Sequence, residues 1–115
     1  MLVMLGIPNC DTVRKARQKL DKLGIEFKFR DLRKEELSEK EWKALIRQDK
    51  EGKLINTKSP NFRKSSYTKE DMESDKNKLD LLLEKPTLMK RPNLLLNDEI
   101  YCIGYDEEKY EKLAK

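Results

Sequence analysis

The order of apolar and polar positions predicts a strand, a helix and a second strand at the N-terminus. Residues 1–6 are almost entirely apolar, which is typical of a buried strand. Apolar residues then recur at helical spacing from Asp11 or Thr12 to Gly24, a typical helix stop. Residues 25–30 alternate between apolar and polar and predict the second strand. This order favours two parallel strands joined by a right-handed crossover.

The middle of the chain is predicted to be mostly helical. Residues 38–41, Ser-Glu-Lys-Glu, resemble a capping box and predict a helix that ends near Gly52. Residues 53–66 carry the Asn, Ser and Pro residues that are typical of a loop. Two short helices are predicted after this loop, over 68–73 and 76–84.

The last part of the chain returns to strands. Residues 92–96 are apolar, and Asn97-Asp98 has the composition of a turn. With residues 99–103 this pattern predicts an antiparallel hairpin. Asp106 is the expected cap of a final amphipathic helix.

Together these elements predict an α/β protein with a thioredoxin-like fold. The expected sheet has four strands and is mixed, with a helical insertion between the second and third strands. A chain of 115 residues with four Gly and four Pro favours one domain without long linkers. Within it we expect residues 1–37 and 87–115 to form the core and residues 38–86 to form the insert.

Charge and composition narrow the function classes. The 26 basic and 22 acidic residues are interspersed, which is typical of solvated helix faces, so we expect no direct nucleic-acid binding. The net charge of +4 still suits a small anionic ligand. The first apolar run ends at Pro8, too short for a signal peptide or a membrane span, so a cytoplasmic protein is expected. The lack of histidine excludes a Cys/His pair and most zinc sites, and no metal is expected.

Cys10 is the candidate reactive residue, because it stands between the first strand and the first helix. Unpaired backbone N–H groups and the positive end of the helix dipole favour a thiolate there, and Arg14 and Lys15 add positive charge. The alternative is that Cys10 is a small core residue, as most free cysteines are. Its loop and cap neighbours favour the reactive thiol. Cys102 lies within a predicted strand, which favours core packing, and in the cytoplasm no structural disulfide is expected.

Two arginines are candidates to bind an anion beside this thiol. Arg63 lies in the loop of the insert and Arg91 precedes the third predicted strand, and two guanidinium groups suit an oxyanion or a carboxylate. Thr12 and nearby backbone N–H groups could complete the anion site. Thioredoxin-like folds typically carry a cis-proline before the third strand, so a cis bond is expected at Pro92.

Three stretches of this chain resemble the signature stretches of the ArsC family. They are residues 6–16 around Cys10, residues 56–64 around Arg63, and residues 86–92, which end in Arg91-Pro92. That family holds glutaredoxin-coupled arsenate reductases, the Spx and MgsR regulators of RNA polymerase, and small YffB-like proteins thought to be glutathione-linked thiol reductases. Residues 9–16 look closest to the YffB-like group.

The resemblance implies a thiol oxidoreductase in which Cys10 is the nucleophile. Arg63 and Arg91 match arginines that hold the oxyanion, and Pro92 matches the cis-proline. Apart from the resemblance, the charge of Arg14 within a turn of Cys10 makes it a further candidate for the anion site. The resemblance implies no bound cofactor, glutathione as the co-substrate, glutathione or glutaredoxin as the partner, and an oxyanion such as arsenate as one substrate class.

Three departures from the family pattern keep the function open. The arsenate reductases carry a third arginine in the last hairpin, absent from residues 102–105, and a histidine before the cysteine, absent here. The regulators usually carry Cys-x-x-Cys, whereas this chain has Val13 at the second position. Glu51-Gly52 does resemble the regulator branch, in which such a glycine belongs to the polymerase-binding surface, although a glycine there is also a simple helix stop. The alternative is therefore a regulator of the Spx/MgsR kind that binds the RNA polymerase α subunit.

Overall fold

Strands lie towards the two ends of the chain and helices fill its middle. The computed structural model describes residues 1–114. In chain order the elements are β1 (Leu2–Gly6), α1 (Asp11–Lys22), β2 (Lys28–Asp31), α2 (Glu39–Gln48), α3 (Pro60–Arg63), a 3₁₀ helix (Glu70–Glu73), α4 (Asp75–Glu84), a second 3₁₀ helix (Pro86–Leu88), β3 (Asn93–Leu96), β4 (Glu99–Ile103) and α5 (Glu107–Lys112). Two units result: Met1–Glu36 with the chain from Arg91 onward, and Leu37–Lys90.

The first unit is built on a four-stranded sheet of order β2-β1-β3-β4. β1 and β2 are parallel, whereas β1 and β3, and β3 and β4, are antiparallel. Met4 in the central strand β1 pairs with Phe29 on one side and with Leu94 on the other. The predicted α/β class with a four-stranded mixed sheet is thus confirmed, and α2 to α4 lie between β2 and β3 in the chain.

The core of the first unit joins residues that are far apart in sequence. α1 contributes its buried apolar stripe at the spacing expected of an amphipathic helix. The buried cluster comprises Leu2, Met4, Val13, Ala16, Leu20, Leu94, Cys102 and Tyr110. Because β1, α1, the hairpin and α5 all contribute, the unit is complete only when both ends of the chain are present.

β2 begins later than the sequence pattern predicts, at Lys28 rather than Ile25. The backbone N–H of Ile25 donates to the carbonyl of Leu20 at 3.0 Å, so Ile25 is held in the turn that closes the C-terminal end of α1. Gly24, at φ +71°, makes the turn that allows this hydrogen bond. The ladder with β1 therefore starts only where Lys28 pairs with Val3.

The second unit begins with the predicted capping box. The backbone N–H of Glu41 donates to Ser38 Oγ at 3.2 Å, and the N–H of Ser38 donates to Glu41 Oε1 at 2.9 Å. α2 ends at Gln48, before the expected stop at Gly52. The carboxylate of Asp49 accepts hydrogen bonds from the N–H groups of residues 53 and 54, both at 2.9 Å, and thereby turns the chain.

A short helix, α3, lies within the segment that was predicted to be a loop. Ser59 Oγ accepts a hydrogen bond from the N–H of Phe62 at 3.2 Å, and Pro60 occupies the first turn. Ser-Pro is typical of a turn but also of a helix start. The buried side chain of Phe62 anchors the helix. Within the predicted loop of residues 53–66, Ser59 therefore caps a helix and residues 60–63 form it.

The hairpin and the final helix follow the sequence prediction. Asn97 and Asp98 have φ values of 51° and 68°, as a two-residue turn between antiparallel strands requires. Asp106 Oδ1 accepts a hydrogen bond from the N–H of Lys109 at 3.2 Å and caps α5. Within residues 1–114, no helix combines the length and the apolar character that crossing a membrane demands.

Candidate functional site

Cys10 is the N-cap residue of α1. Its backbone is extended, with φ −105° and ψ 125°, and its carbonyl accepts the N–H of Arg14 at 2.9 Å. Within the described chain its thiol makes no capping hydrogen bond, unlike the hydroxyls of Ser38 and Ser59 at the starts of α2 and α3. The side chain is partly exposed and packs against the core of the first unit. Packing against the core holds the Cys10 side chain in place, and its partial exposure leaves the thiol accessible to a reactant.

Gly6 sets the path of the loop that carries Cys10. A Cβ atom at Gly6 would lie 3.0 Å from Val13 Cγ2 and 3.3 Å from Val13 Cγ1. Glycine therefore lets the end of β1 approach α1 more closely than a residue with a Cβ atom could without displacing Val13. This contact fixes the two ends of residues 7–10 against each other and so restricts where Cys10 can lie.

Arg91 and Pro92 belong to the same unit as Cys10. The Arg91–Pro92 peptide bond is cis, as predicted. Pro92 is buried, and its carbonyl accepts the N–H of Gly104 at 2.7 Å. Asn93, the next residue, pairs with Leu5 near the end of β1. Because β1 ends where the antiparallel strand β3 begins, Arg91-Pro92 and the Cys10 loop lie at the same end of these two central strands.

The charged groups at the start of α1 already interact with each other. Arg14 donates a hydrogen bond to Asp11 Oδ1 and forms an ion pair with it. Both side chains are exposed, and so is Thr12. The charge of Arg14 is thus shared with a carboxylate, and its predicted anion-binding role stays a prediction.

Arg63 lies in the second unit, as the last residue of α3. Its backbone N–H donates to the carbonyl of Ser59 at 3.2 Å, and its side chain is exposed. The geometry of the first unit therefore includes Cys10 and Arg91 but not Arg63. The expected pairing of Arg63 with Cys10 stays a prediction.

Cys102 is buried on β4, as predicted. Its side chain is 3% exposed, and its thiol donates to the carbonyl of Gly104 at 3.3 Å. It belongs to the core cluster of the first unit and forms no disulfide with Cys10. Its surroundings are those of a packed core thiol.

Asn93 is a residue near the site that sequence reasoning missed. It is fully buried at the start of β3, between Leu5 of β1 and Ile103 of β4. Its signal in the sequence is a single amide at the start of the otherwise apolar residues 92–96. A buried polar side chain directly after Pro92 makes this end of the sheet more polar than the sequence pattern predicts.

The family of the chain follows from a comparison with protein-family models. The model described as the ArsC family matches residues 5–113. The chain belongs to the ArsC family.

Within residues 1–114, no three Cys, Asp or Glu residues are grouped so that they could hold a metal ion.

Relatives of this ArsC-family chain include a regulator and structures related to arsenate reductase. It is 33% identical to "Regulatory protein MgsR" of Bacillus subtilis over 116 residues, which cover 99% of this chain and 90% of MgsR. The solution structure of an arsenate reductase (ArsC) related protein from Brucella melitensis is 28% identical, with a TM-score of 0.77 and coverage of 96% and 92%. A protein named YffB has the same fold, with a TM-score of 0.85 at 23% identity and full coverage of both chains.

Proposed function

We propose that this ArsC-family chain is a thiol oxidoreductase and that Cys10 is its nucleophile. The observation that carries the proposal is the position of Cys10 at the N-cap of α1, partly exposed and with its thiol not used in capping. The N–H groups of the first turn and the helix dipole favour an anion at this point. A thiolate is the nucleophilic form of cysteine.

The proposed reaction has three thiol exchange steps. The Cys10 thiolate attacks one sulfur of an oxidised substrate, forms an S–S bond with it, and releases the other sulfur as a thiolate. A glutathione thiolate, directly or through glutaredoxin, then attacks the Cys10 sulfur, forms a Cys10–glutathione disulfide and releases the second substrate thiol. A second glutathione thiolate attacks the bound glutathione sulfur, forms glutathione disulfide and releases the Cys10 thiolate. One substrate disulfide becomes two thiols, and two glutathione thiols become one disulfide. The proposal assumes the cytoplasm, where such thiols are kept reduced.

Anions are the expected ligands of the site. Thr12 and the backbone N–H groups of α1 would bind a carboxylate of glutathione or an oxyanion, and Arg91 would add a guanidinium group. Arg63 and Arg14 are the further candidates. With arsenate the electron count is the same: arsenate is reduced to arsenite and water is released, while two glutathione thiols are oxidised to a disulfide.

Turnover with glutathione tests the proposal. Glutathione oxidation is followed with a small disulfide, a glutathionylated peptide or arsenate as the acceptor. We expect the wild type to turn over at least one of them, and Cys10→Ser to lose about 100-fold or more of the rate, because the nucleophile is gone. Cys102→Ala is the matched control and should stay within about twofold of the wild type, since Cys102 is buried. Turnover by Cys10→Ser at the wild-type rate would overturn the proposal.

A regulator is the second candidate function. It is favoured by the similarity to MgsR, which extends over 99% of this chain. As a regulator, the chain would bind the RNA polymerase α subunit, and the surface around Gly52 would contribute. Gly52 is exposed at φ +69°, and nothing lies within 4 Å of a Cβ atom built there.

Capture of the purified α subunit tests this second function. We expect the wild type to retain the α subunit and Gly52→Arg to lose it, because the new side chain would project into the contact. Gly52→Asn is the control, since Asn tolerates a positive φ and separates backbone strain from steric block. Failure of the wild type to retain the α subunit contradicts the regulator function.

A further inference from the structure

A cavity between two helices of the second unit lies outside the candidate site. α2 and α4 pack against each other and leave a cavity of about 400 Å³ at the surface. Its lining residues are Lys43, Ile46 and Arg47 of α2 and Asp75, Lys76 and Leu79 of α4.

The α4 side of this cavity continues as an apolar stripe. Leu81 and Leu82 face the core, whereas Leu79 is partly exposed and Leu83 is 45% exposed. Residues four apart on a helix share a face, so Leu83 extends the surface of Leu79 by one turn. Ile46 of α2 is only 5% exposed and provides the apolar floor. Ile46 and Leu79 line the groove between the two helices, and Leu83 extends its exposed apolar surface along α4, one turn beyond the cavity.

The rim of the groove is basic. Lys43 pairs with Glu39 at 3.7 Å, and Asp75 pairs with Lys78 at 4.0 Å. Among residues 1–114, Arg47 and Lys76 have no carboxylate within ion-pairing distance, and both are exposed. Arg47 lies on α2 and Lys76 on α4, so each bank of the groove carries a cation that has no partner within the chain.

We propose that this groove binds an acidic amphipathic helix of a partner protein. Apolar side chains of that helix would pack on Ile46, Leu79 and Leu83, and its carboxylates would pair with Arg47 and Lys76. This is the helix-in-groove mode, in which an apolar stripe provides affinity and flanking charges select the partner. The binding does not depend on Cys10 chemistry and extends the protein beyond its proposed reaction.

Two designed peptides test the proposal. Each is an amphipathic helix of about 18 residues with the same leucine stripe, flanked by Glu in one and by Lys in the other. Fluorescence anisotropy of the labelled peptides measures their binding to the full chain. We expect the Glu peptide to bind at least about tenfold more tightly than the Lys peptide, because the rim is basic. Equal affinities, or no binding of the Glu peptide, would overturn the proposal.

Charge reversal on the protein tests where the peptide binds. Arg47→Glu with Lys76→Glu should weaken binding of the Glu peptide about tenfold or more. Leu83→Ser should weaken it about threefold or more through lost apolar contact. Lys58→Glu is the matched control: it is an exposed cation of the same unit outside the groove and should leave binding unchanged.

A lipid surface is the competing occupant, and vesicles with anionic lipid distinguish it from a helix. If the same two charge reversals abolish vesicle binding while peptide binding is unaffected, the groove recognises a membrane and the proposal is wrong. Circular dichroism of each variant establishes that the fold is retained. Glutathione turnover is measured in parallel, and we expect it to be unchanged, which separates this binding from the proposed reaction.

Discussion

Because Gly6 has no side chain, the end of β1 can pack closely against α1 next to the candidate site. A methyl group there would meet both Cγ atoms of Val13, at 3.0 and 3.3 Å, and Phe29 Cε1 at 3.6 Å. Val13 is fully buried in α1 and cannot move away without disturbing the core. The residue that ends β1 and the helix that follows Cys10 are therefore fitted to each other.

Gly6→Ala should lower the free energy of unfolding by about 1–3 kcal/mol, the usual cost of overpacking a core. Urea denaturation measures it. In the Val13→Ala background, Gly6→Ala should cost less free energy of unfolding than it does in the wild type, because the smaller residue 13 leaves space for the new methyl group. Strict additivity of the two changes would contradict this account.

Tyr110 provides a pH-dependent prediction. Its ring is fully buried and packs edge-on against Tyr105, with 5.0 Å between ring centroids. Its hydroxyl has no hydrogen-bond partner among residues 1–114, and burial raises the pKa of Tyr110 well above its usual value. The native state therefore keeps its proton at a pH where the unfolded chain, with a tyrosine pKa of about 10, has lost it.

Stability from Tyr110 is thus fully present below pH of about 10 and is lost as the pH rises further. Tyr110→Phe should be within about 1 kcal/mol of the wild type at pH 7, since an unpaired buried hydroxyl contributes little. Its stability should fall less steeply than that of the wild type between about pH 10 and 11.5. Unfolding curves across this range measure both, and parallel pH profiles of the two proteins would contradict the assignment.

At the scale of single elements, helix α2 depends on its N-cap residue, Ser38. Ser38 and Glu41 satisfy each other's backbone N–H groups. Ser38→Ala should reduce the free energy of unfolding by about 0.5–2 kcal/mol. The control is Ser66→Ala, an exposed serine outside the helices, which should have almost no effect. Equal effects of the two substitutions in urea denaturation would show that the cap contributes nothing.

Elements with a local signal could be predicted from the sequence, and elements fixed by distant contacts could not. The capping box at Ser38 and the turn at Asn97 act within a few residues, so their patterns sufficed. The start of β2 depends on a hydrogen bond from Ile25 back to Leu20, which the alternating pattern does not reveal. α3 was missed because Ser and Pro are typical of both turns and helix starts.

In the candidate site too, residues with a local sequence pattern could be predicted, and a residue placed by distant strands could not. Cys10 could be found because its position between a strand and a helix is a local pattern. The contact between Asp11 and Arg14 follows from their spacing of three residues on a helix and could have been predicted too. The buried position of Asn93 could not, because it depends on strands β1 and β4 on its two sides.

At the scale of the whole molecule, an ion-pair group connects the two ends of the chain. Lys19 of α1 pairs with Glu111 of α5 at 2.8 Å and with Glu107 at 3.3 Å. The hydrogen bond to Glu111 is the main cause that raises the pKa of Lys19. Stability from Lys19 is therefore present below the pKa of an unfolded lysine and is lost as the pH rises through the raised native value.

Glu111→Gln should lower the urea midpoint at pH 7 and low salt, and the loss should shrink in about 1 M salt, where charges are screened within about 3 Å. Glu108→Gln is the matched control, since Glu108 lies on the same helix and has no ion-pair partner among residues 1–114. If both substitutions shift the midpoint equally at low salt, the effect belongs to the net charge and not to the Lys19 group.

The strand order β2-β1-β3-β4 also has a consequence for protein synthesis. Leu2 pairs with Leu96, so the central strand β1 leaves the ribosome long before its antiparallel partner β3 does. At a synthesis rate of about 5–20 residues per second, that interval lasts roughly 5 to 20 seconds. During it the edge of β1 that later pairs with β3 is open, and Leu94 and Cys102 are still missing from the buried cluster that contains Leu2 and Met4. We therefore expect nascent chains that stop before β3 to be recognised by chaperones, and the finished chain to be released from them.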